Sequence, residues 1–386
     1  MAQVLVLATL QTKKAEADFL LRQLIDCGVS SRVVDISLQS NGEILDGAEK
    51  RYAMDQAALN VLEDVAAAAG GETEVVLGIG GGTGGEIAFR VLRALPITFP
   101  KILVTTLPFD PRAVVADNSI ILVPTLADIA GLNAILREVL ENAALIAAGL
   151  CQKERKGELV DVTPSIGITA LGATDGAVAP LVHQLSKRGQ ESTVFHSNGY
   201  GGAAFARFAA NGAFNAIIDL TPHELTRIHL AGAHVDMPER FVAGGDLPRI
   251  VLPGALNFIG LGQKTLVQSE YLSRPHYEHS GFFTHVKVTD EEMKHVCQRL
   301  AESLNRLNGP CAMIVPMGGF SHQDRPGGPI EDPELREVCF DTLKASLNSN
   351  IQLLRLDAHL FAPEVTNAIL ETLNMLTSEE VGPCMT

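Results

Sequence analysis

The sequence predicts an α/β protein built from two Rossmann-like, doubly wound domains with mostly parallel sheets and a ligand cleft between them. Short apolar runs alternate with longer helical patterns along almost the whole chain, as in parallel sheets covered by helices on both faces. A glycine-rich turn at residues 78–85 joins one such run to a helix. The charged segment at residues 152–158 interrupts the alternation and predicts a boundary between an N-terminal domain, residues 1–155, and a C-terminal domain, residues 160–386.

The first domain is predicted to alternate strands with helices in the order of a parallel sheet. Its apolar runs predict strands at Val4–Ala8, Arg32–Asp35, Glu74–Gly78, Lys101–Thr105 and Ser119–Val123. Helical periodicity predicts helices near residues 13–26, 52–68, 84–94 and 131–149. In the third helix Ile87, Val91 and Leu95 recur at spacings of four and therefore define one buried face.

The turn between the third strand and the third helix has five glycines in six positions and predicts an anion-binding cradle. The assigned residues are Gly80, Gly81, Gly82, Thr83, Gly84 and Gly85. Backbone N–H groups at a helix start can point at an anion, and the helix dipole favours negative charge there. Neither a dinucleotide fingerprint nor a Walker A loop fits well, because no ribose-binding acid is evident about 20 residues later and Glu86 replaces the Walker lysine. A structural turn that needs positive φ is the alternative.

The second domain opens much as the first does. The strand and small, hydroxyl-bearing loop at residues 165–174 match those at residues 4–12, and each pair is followed by a helix and a second strand. In the first domain, Thr9, Thr12 and Lys13 follow the opening strand and are expected to line a ligand crevice at the carboxyl ends of the strands. A true duplication and the common opening of any two Rossmann-like halves both explain the match.

A second strand-to-helix turn, at residues 196–202, is also rich in glycine and predicts another anion contact. The assigned residues are Ser197, Asn198, Gly199, Gly201 and Gly202, whose backbone N–H groups are expected to face the ligand. His196, at the end of the strand, is expected to donate to a phosphate or to act as a general base. The alternative is a buried histidine that is satisfied within the core.

Two further turns of the second domain follow buried strands. Asp219 ends the strand at residues 216–219 and is a candidate catalytic carboxylate. Thr221 and Glu224 match a capping box, which gives Glu224 a structural explanation. Asn257 follows the next strand and is a candidate amide contact to the ligand.

The richest polar cluster is the glycine-punctuated loop after the predicted strand Cys311–Val315. Ser321, His322, Asp324 and Arg325 lie within five positions, which is more polar chemistry than a simple connection requires. We expect His322 to serve as an acid or base, Asp324 to orient His322 or hold Mg²⁺, and Arg325 to pair with a carboxylate or phosphate. An ion pair between Asp324 and Arg325 in a solvated loop is the alternative.

Composition excludes several classes of partner. The net charge is −15, Trp is absent and only four Tyr occur, so the chain lacks the basic and aromatic surface that nucleic acids or anionic membranes favour. Six scattered cysteines have no metal-ligand spacing, and no metal site made by the protein alone is predicted. The sequence has neither a secretory leader pattern nor an uninterrupted apolar span, which indicates a cytoplasmic protein.

Ordered motifs over nearly the whole chain resemble the UPF0261 family, whose members are similar to the Tm-1-like ATP-binding domain. The matching segments are residues 8–13, 78–85, 128–133, 196–202, 219–225, 253–257, 319–321, 326–329 and 356–359. The resemblance implies two Rossmann-like domains, a homodimer, and ATP or a related nucleotide near the glycine loops, with or without Mg²⁺. Ala8 and Gln11 stand where the family has Gly and Asp, and Pro108–Pro111 replaces a stretch rich in small residues, so a divergent ligand stays open.

Two functional hypotheses follow. The first is an enzyme that binds ATP or another phosphorylated ligand and acts on a small organic acid or phosphorylated metabolite in the cleft. Its reaction would be that of a nucleotide-dependent transferase or ligase, or that of a hydrolase or lyase. The second is a non-catalytic nucleotide sensor or protein-interaction module, in which ligand binding closes the two domains. A small anionic ligand is common to both.

Overall fold

The computed structural model describes residues 3–38, 45–151 and 164–378. The chain divides into two compact units, Met1–Glu158 and Leu159–Thr386. Each unit contains a parallel sheet with helices packed on it, which confirms the predicted α/β class with two Rossmann-like units. The segment that predicted the domain boundary, residues 152–158, lies outside the described residues, so that boundary stays a prediction.

The first unit is a five-stranded sheet in the order β2-β1-β3-β4-β5, with every neighbouring pair parallel. Its strands are β1 (Val4–Ala8), β2 (Ser31–Asp35), β3 (Val75–Gly80), β4 (Lys101–Thr105) and β5 (Ile120–Pro124). Its helices are α1 (Leu10–Asp26), α2 (Gly47–Ala69), α3 (Gly82–Ala94), α4 (Pro111–Val115) and α5 (Ala134–Cys151). The five predicted strands and the four predicted helices are therefore confirmed, with ends that differ by a few residues.

Both faces of this sheet are buried, as a doubly wound fold requires. Alternate residues of β1 point in opposite directions, so Val4 and Val6 pack under α1 and α5. Leu5 and Leu7 pack instead under α2 and α3. Every residue of β1 is apolar and inaccessible to solvent, so this strand is an unbroken hydrophobic run in the sequence.

The second unit has a six-stranded parallel sheet in the order β14-β13-β9-β8-β6-β7 and a three-stranded antiparallel sheet in the order β10-β12-β11. The parallel strands are β6 (Ser165–Ala170), β7 (Ser192–His196), β8 (Phe214–Asp219), β9 (Arg249–Val251), β13 (Cys311–Pro316) and β14 (Gln352–Leu356). The antiparallel strands are β10 (Phe258–Leu261), β11 (His276–Ser280) and β12 (Phe283–Lys287). The helices are α6 (Asp175–Lys187), α7 (Gly201–Ala210), α8 (Glu224–His229), α9 (Ser269–Leu272), α10 (Asp290–Leu304), α11 (Pro333–Ser346) and α12 (Pro363–Thr377).

Strand order decides where each sheet can hold a ligand. In the first unit the chain moves from β1 to β2 on one side and then returns to β3 on the other, so the order reverses between β1 and β3. In the second unit the same reversal lies between β6 and β8. Open α/β sheets bind ligands beyond the carboxyl ends of the strands at this reversal. None of the helices in the described ranges is long and apolar enough to cross a membrane.

Candidate functional site

The carboxyl ends of β1 and β3 border a cavity of about 440 Å³, a size typical of small-molecule sites. It is lined by Thr9, Gln11, Thr12, Lys13, Ser37, Leu38, Lys50, Gly81, Gly82, Thr83, Gly84 and Asp128. The strand order of the first unit reverses at this place. Three of the residues predicted from the loop after β1 and four of those predicted from the glycine turn are thus brought together.

The glycine turn leaves the start of α3 without a side-chain cap. Gly85 donates the first intrahelical hydrogen bond, to the carbonyl of Gly81 at 2.8 Å. The N–H groups of Gly82, Thr83 and Gly84 precede that bond and are the groups that an α-helix cannot satisfy internally. They lie at the cavity, where the positive end of the helix dipole adds to their effect.

The glycines of this turn serve two different purposes. A Cβ at Gly80 would lie 2.3 Å from the nitrogen of Gly85, and a Cβ at Gly85 would lie 2.9 Å from the carbonyl oxygen of Gly80, so these two glycines permit close packing of strand and helix. A Cβ at Gly82 would meet no atom within 4 Å. No glycine between residues 80 and 85 has positive φ, so the alternative of a turn built on positive φ is wrong. Packing does not explain why position 82 is glycine.

The loop after β1 presents hydroxyl groups and a cation to the cavity. The carbonyl oxygen of Thr9 accepts hydrogen bonds from the N–H groups of Thr12 at 3.0 Å and Lys13 at 2.8 Å. The hydroxyls of Thr9 and Thr12 are 3.0 Å apart and bonded. Lys13 departs from helical geometry, with φ −126° and ψ 26°, and its ammonium donates to the carbonyl of Ile129. The lysine charge is thereby fixed at the cavity wall.

Several cavity residues were not assigned from the sequence. They are Gln11, Ser37, Leu38, Lys50 and Asp128. Lys50 lies on α2 and carries no local signal of a site. Asp128 follows β5 at the carboxyl end of the sheet, a position that could have identified it. Its carboxylate accepts the N–H of Ile129 at 2.8 Å. Among the lining residues that the structure describes, Asp128 is the only acidic side chain, and two are lysines.

In the second unit, part of the second glycine loop is hydrogen-bonded internally. The side-chain oxygen of Asn198 accepts the N–H groups of Tyr200 at 3.1 Å and Gly201 at 3.2 Å. The N–H of Gly201 is therefore engaged within the loop, contrary to the expectation that it faces an anion. Close packing explains the glycines, because a Cβ would lie 2.3 Å from the Ala233 oxygen at Gly199 and 2.7 Å from Arg240 at Gly202.

Asp219 anchors a buried ion-pair network. Its carboxylate is only 1% exposed and accepts two hydrogen bonds from Arg240, at 2.7 and 3.0 Å, and one from the hydroxyl of Thr169 at 2.6 Å. Burial alone would raise the pKa of Asp219, but the neighbouring guanidinium and these hydrogen bonds hold the pKa below its usual range. With both oxygens engaged inside the protein, Asp219 positions other groups and does not face a ligand, which corrects its assignment as a catalytic carboxylate.

The predicted capping box at Thr221 and Glu224 is also wrong. Helix α8 begins with His223 as its N-cap and without a capping side chain. The hydroxyl of Thr221 bonds that of Thr174 at 2.8 Å, and Glu224 receives the Nε–H of Arg240 at 3.2 Å. Burial raises the pKa of Glu224, although Arg240 opposes this effect.

His196 and Ser197 lie together at the end of β7. His196 is solvent-exposed as a residue, yet partial burial of its ring lowers its pKa, with Asp175 opposing and Arg227 adding to the shift. The neutral ring is compatible with the predicted role as a general base. Ser197 is buried, and its hydroxyl has no hydrogen-bond partner among the described residues.

The polar loop after β13 separates the residues that were predicted to act together. His322 and Arg325 are exposed, whereas Asp324 is buried and accepts the N–H groups of Phe320 at 2.9 Å and Asp332 at 3.1 Å. Burial raises the pKa of Asp324 to about 6.

The ionic partner of Asp324 is Arg336 at 3.5 Å, and not the neighbouring Arg325. Asp324 therefore stabilises the conformation of this loop and does not orient His322. The alternative of an ion pair with Arg325 is wrong as well. Asn257 reaches the same loop, since its amide donates to the hydroxyl of Ser321 at 3.2 Å.

Comparison with known proteins places both units in one family. The model for the "Uncharacterised protein family (UPF0261) N-terminal domain" matches residues 43–156, and the corresponding C-terminal domain model matches residues 163–377. A UPF0261 protein of Mesorhizobium japonicum is 29% identical over 97% of this chain and 99% of its own length. A UPF0261 protein of Rhizobium meliloti is 31% identical over 76% of this chain and 74% of its own length.

A plant protein shares part of this similarity. The ToMV resistance protein Tm-1 of Solanum lycopersicum is 27% identical over 77% of this chain, but the match spans 41% of the plant protein. The two family models and the full-length bacterial relatives agree with the motifs found along the sequence. The chain belongs to the UPF0261 family.

Proposed function

We propose that the first unit binds ATP, or a related nucleotide or phosphorylated ligand, with its phosphates at the start of α3. The observation that supports this most directly is the group of three uncapped N–H groups, at Gly82, Thr83 and Gly84, which open onto a cavity at the strand-order reversal. Lys13 and Lys50 add positive charge to the same cavity. An acidic protein can attract an anion in this way, because local dipoles and placed cations act at short range.

Mg²⁺ fits this proposal if the ligand supplies most of its oxygens. Within residues 3–38, 45–151 and 164–378, no cluster of three or more His, Cys, Asp or Glu side chains is arranged to hold a metal. Mg²⁺ is commonly held by one or two carboxylates together with phosphate oxygens and water. Asp128 offers such a carboxylate at the cavity, where bound Mg²⁺ would neutralise part of the phosphate charge.

Two uses of the bound ligand remain in competition. An enzyme acting on a small organic acid or phosphorylated metabolite, by transfer, ligation, hydrolysis or lyase chemistry, is supported by exposed His196, His322 and Arg325 near strand ends of the second unit. A non-catalytic nucleotide sensor or interaction module is supported by the cavity itself. Among the described residues, its lining includes no histidine or cysteine, and its titratable side chains are Lys13, Lys50 and Asp128.

Titration calorimetry with ATP, with and without Mg²⁺, tests the binding proposal, and assay of the same samples for ADP and phosphate separates enzyme from sensor. We expect Lys13→Met to weaken ATP binding about tenfold to a hundredfold, because a charge-assisted contact contributes about 1.5–3 kcal/mol. Lys14→Met is the matched control, since Lys14 is exposed and pairs with Asp18 on the outer face of α1. Equal ATP affinity in the two variants would contradict the assignment of Lys13.

We also propose a homodimer in which α5 contributes to the interface. Ile135, Leu145 and Ile146 of this helix are 53%, 61% and 37% exposed, and Leu145 and Ile146 are adjacent. Association would remove these apolar side chains from water. Light scattering of the purified protein should give twice the mass of one chain, and Leu145→Glu should give the single-chain mass. A monomeric wild-type protein would contradict the proposal.

A further inference from the structure

A group of buried polar side chains in the second unit converges beside Gly260 in β10. A Cβ at Gly260 would lie 2.5 Å from Nη2 of Arg227 and 2.9 Å from Nε2 of His223. His285 pairs with Gly260 across β10 and β12, and directly paired residues present their side chains on the same face of a sheet. The absence of a side chain at Gly260 therefore leaves a guanidinium and two imidazoles next to one another.

Arg227 is a buried cation without a direct ion-pair partner among the described residues. Its side chain is 7% exposed and donates one hydrogen bond, to the carbonyl of Ala233 at 3.1 Å. Its Nε has no partner, and across the described ranges no carboxylate lies within ion-pair distance of the guanidinium. Burying an unpaired charge is costly, so a bound anion would stabilise this arrangement.

His223 presents a hydrogen-bond acceptor at the same point. It is fully buried, and its Nδ1 lies 2.8 Å from the carbonyl oxygen of Ala255, which can only accept, so Nδ1 carries the proton. Burial lowers the pKa of His223 well below its usual value, with the Arg227 charge adding to the effect, so the ring is neutral. Its Nε2 is then a bare acceptor, and it has no partner among the described residues.

Further unpartnered groups lie in segments next to this pair. Buried atoms without a hydrogen-bond partner among the described residues include Nδ1 of His285, Oγ of Ser197 and Oδ1 of Asn257. Asn257 is two residues after Ala255, whose carbonyl contacts His223, and Ser197 is two residues before Gly199, which packs on Arg227. Buried polar atoms in proteins are nearly always paired with protein, water or ligand, so unpartnered atoms on adjoining segments point to a bound polar molecule.

We propose that these residues form a second binding site, for a small carboxylate that also carries a hydroxyl group. The carboxylate would accept from Arg227, and the hydroxyl would donate to Nε2 of His223. Ser197 and Asn257 would take the remaining polar atoms. The site is contained in the second unit and does not depend on nucleotide binding in the first.

The charge balance favours a carboxylate over a phosphate. Arg227 is the only fully charged donor among the groups named, and the N–H groups of Tyr200 and Gly201 are already engaged by Asn198. Glu224 is close enough to raise the pKa of Arg227 against the lowering effect of burial, and a carboxylate there would repel a dianion. A singly charged ligand with a planar, bidentate head matches one guanidinium.

Titration calorimetry of the full-length protein with glycolate and L-lactate, two singly charged hydroxy acids, tests the site. At least one of these hydroxy acids should bind saturably, more tightly than acetate, which lacks the hydroxyl, and than methyl glycolate, which lacks the charge. Arg227→Met should weaken that binding about tenfold to a hundredfold. Arg355→Met is the matched control, because Arg355 belongs to the same unit but pairs with Glu337 on the surface.

Thermal unfolding without ligand distinguishes a binding arginine from a structural one. Arg227→Met removes an unpaired buried charge, so the unfolding temperature should hold or rise while the stabilisation by hydroxy acid disappears. A lower unfolding temperature for Arg227→Met, together with no hydroxy-acid binding by the wild-type protein, would overturn the proposal. Tighter binding of inorganic phosphate than of any hydroxy acid would overturn the ligand class. Loss of ATP binding alone would leave the proposal standing.

Discussion

Substitution of Gly82 by valine tests the phosphate cradle without disturbing the fold. A Cβ at Gly82 would meet no atom within 4 Å, so the new side chain occupies the space in front of the uncapped N–H groups of α3. Glycine is a poor helix former, and valine at this position should leave the free energy of unfolding unchanged or slightly raised. The change therefore acts on the ligand space and not on packing.

The expected loss of affinity follows from the number of N–H groups that become blocked. Each hydrogen bond from an N–H to a charged phosphate contributes about 1.5–3 kcal/mol, and each 1.4 kcal/mol is about a tenfold change in affinity. Blocking two of the three N–H groups at Gly82, Thr83 and Gly84 should weaken ATP binding at least about a hundredfold. Titration calorimetry measures this loss, and thermal unfolding of the same sample checks the fold.

Gly149→Val is the matched control for this experiment. Gly149 is also helical, and a Cβ there would likewise meet nothing within 4 Å, but it lies near the end of α5 and not on the cavity. The control should bind ATP as the wild-type protein does. If Gly82→Val binds ATP as tightly as Gly149→Val, the start of α3 does not hold the phosphates and the proposal fails.

Two further predictions concern stability in the second unit. Arg240→Met leaves the carboxylates of Asp219 and Glu224 buried without their cation and should cost about 3–5 kcal/mol in urea unfolding, whereas Arg299→Met, which breaks an exposed pair, should cost less than about 1 kcal/mol. Similar losses in both would contradict the network. The folded protein holds the Asp324 proton up to about pH 6, above the usual carboxyl range, so the stability of wild type relative to Asp324→Asn should fall by on the order of 2 kcal/mol as pH rises from about 4 to 6. A flat difference across that range would refute a raised pKa.

The sheet core could be predicted from the sequence because its signal is local and strong. Strands β1, β3 and β4 are apolar runs buried at almost every position, and their bounds differ little from the predicted ones. The antiparallel sheet of β10, β11 and β12 was not predicted. In β11, four of the five residues are exposed and the chain is mostly polar, so no apolar run marks the strand.

Two capping-box patterns show that local sequence predicts a helix start in one place and not in another. Asp46 and Glu49 form a capping box that starts α2 five residues before the predicted position, and this pattern was present in the sequence. Thr221 and Glu224 have the same spacing but do not cap α8. Asp46 is exposed and accepts the N–H groups of Ala48 and Glu49, whereas Glu224 is buried against Arg240, which lies 16 residues later in the sequence.

Some residues of the candidate site could likewise be predicted from the sequence, and others could not. The glycine turn and the loop after β1 were predicted because strand ends and glycines are visible in the sequence, and both reach the cavity. Lys50 was not predicted because it lies on α2 and reaches the cavity only in the folded structure. Asp324 was assigned to chemistry because nothing local showed that Arg336 would meet it inside the protein.

A crystal structure of the protein with Mg²⁺ and a non-hydrolysable ATP analogue would show where the phosphates bind. We expect phosphate oxygens within hydrogen-bond distance of the N–H groups of Gly82, Thr83 and Gly84, with the ammonium of Lys13 beside them. Asp128 should lie beside the metal. If the phosphates bind elsewhere in the chain, or if the cavity at α3 stays free of the analogue at saturating concentration, the start of α3 is not the phosphate site.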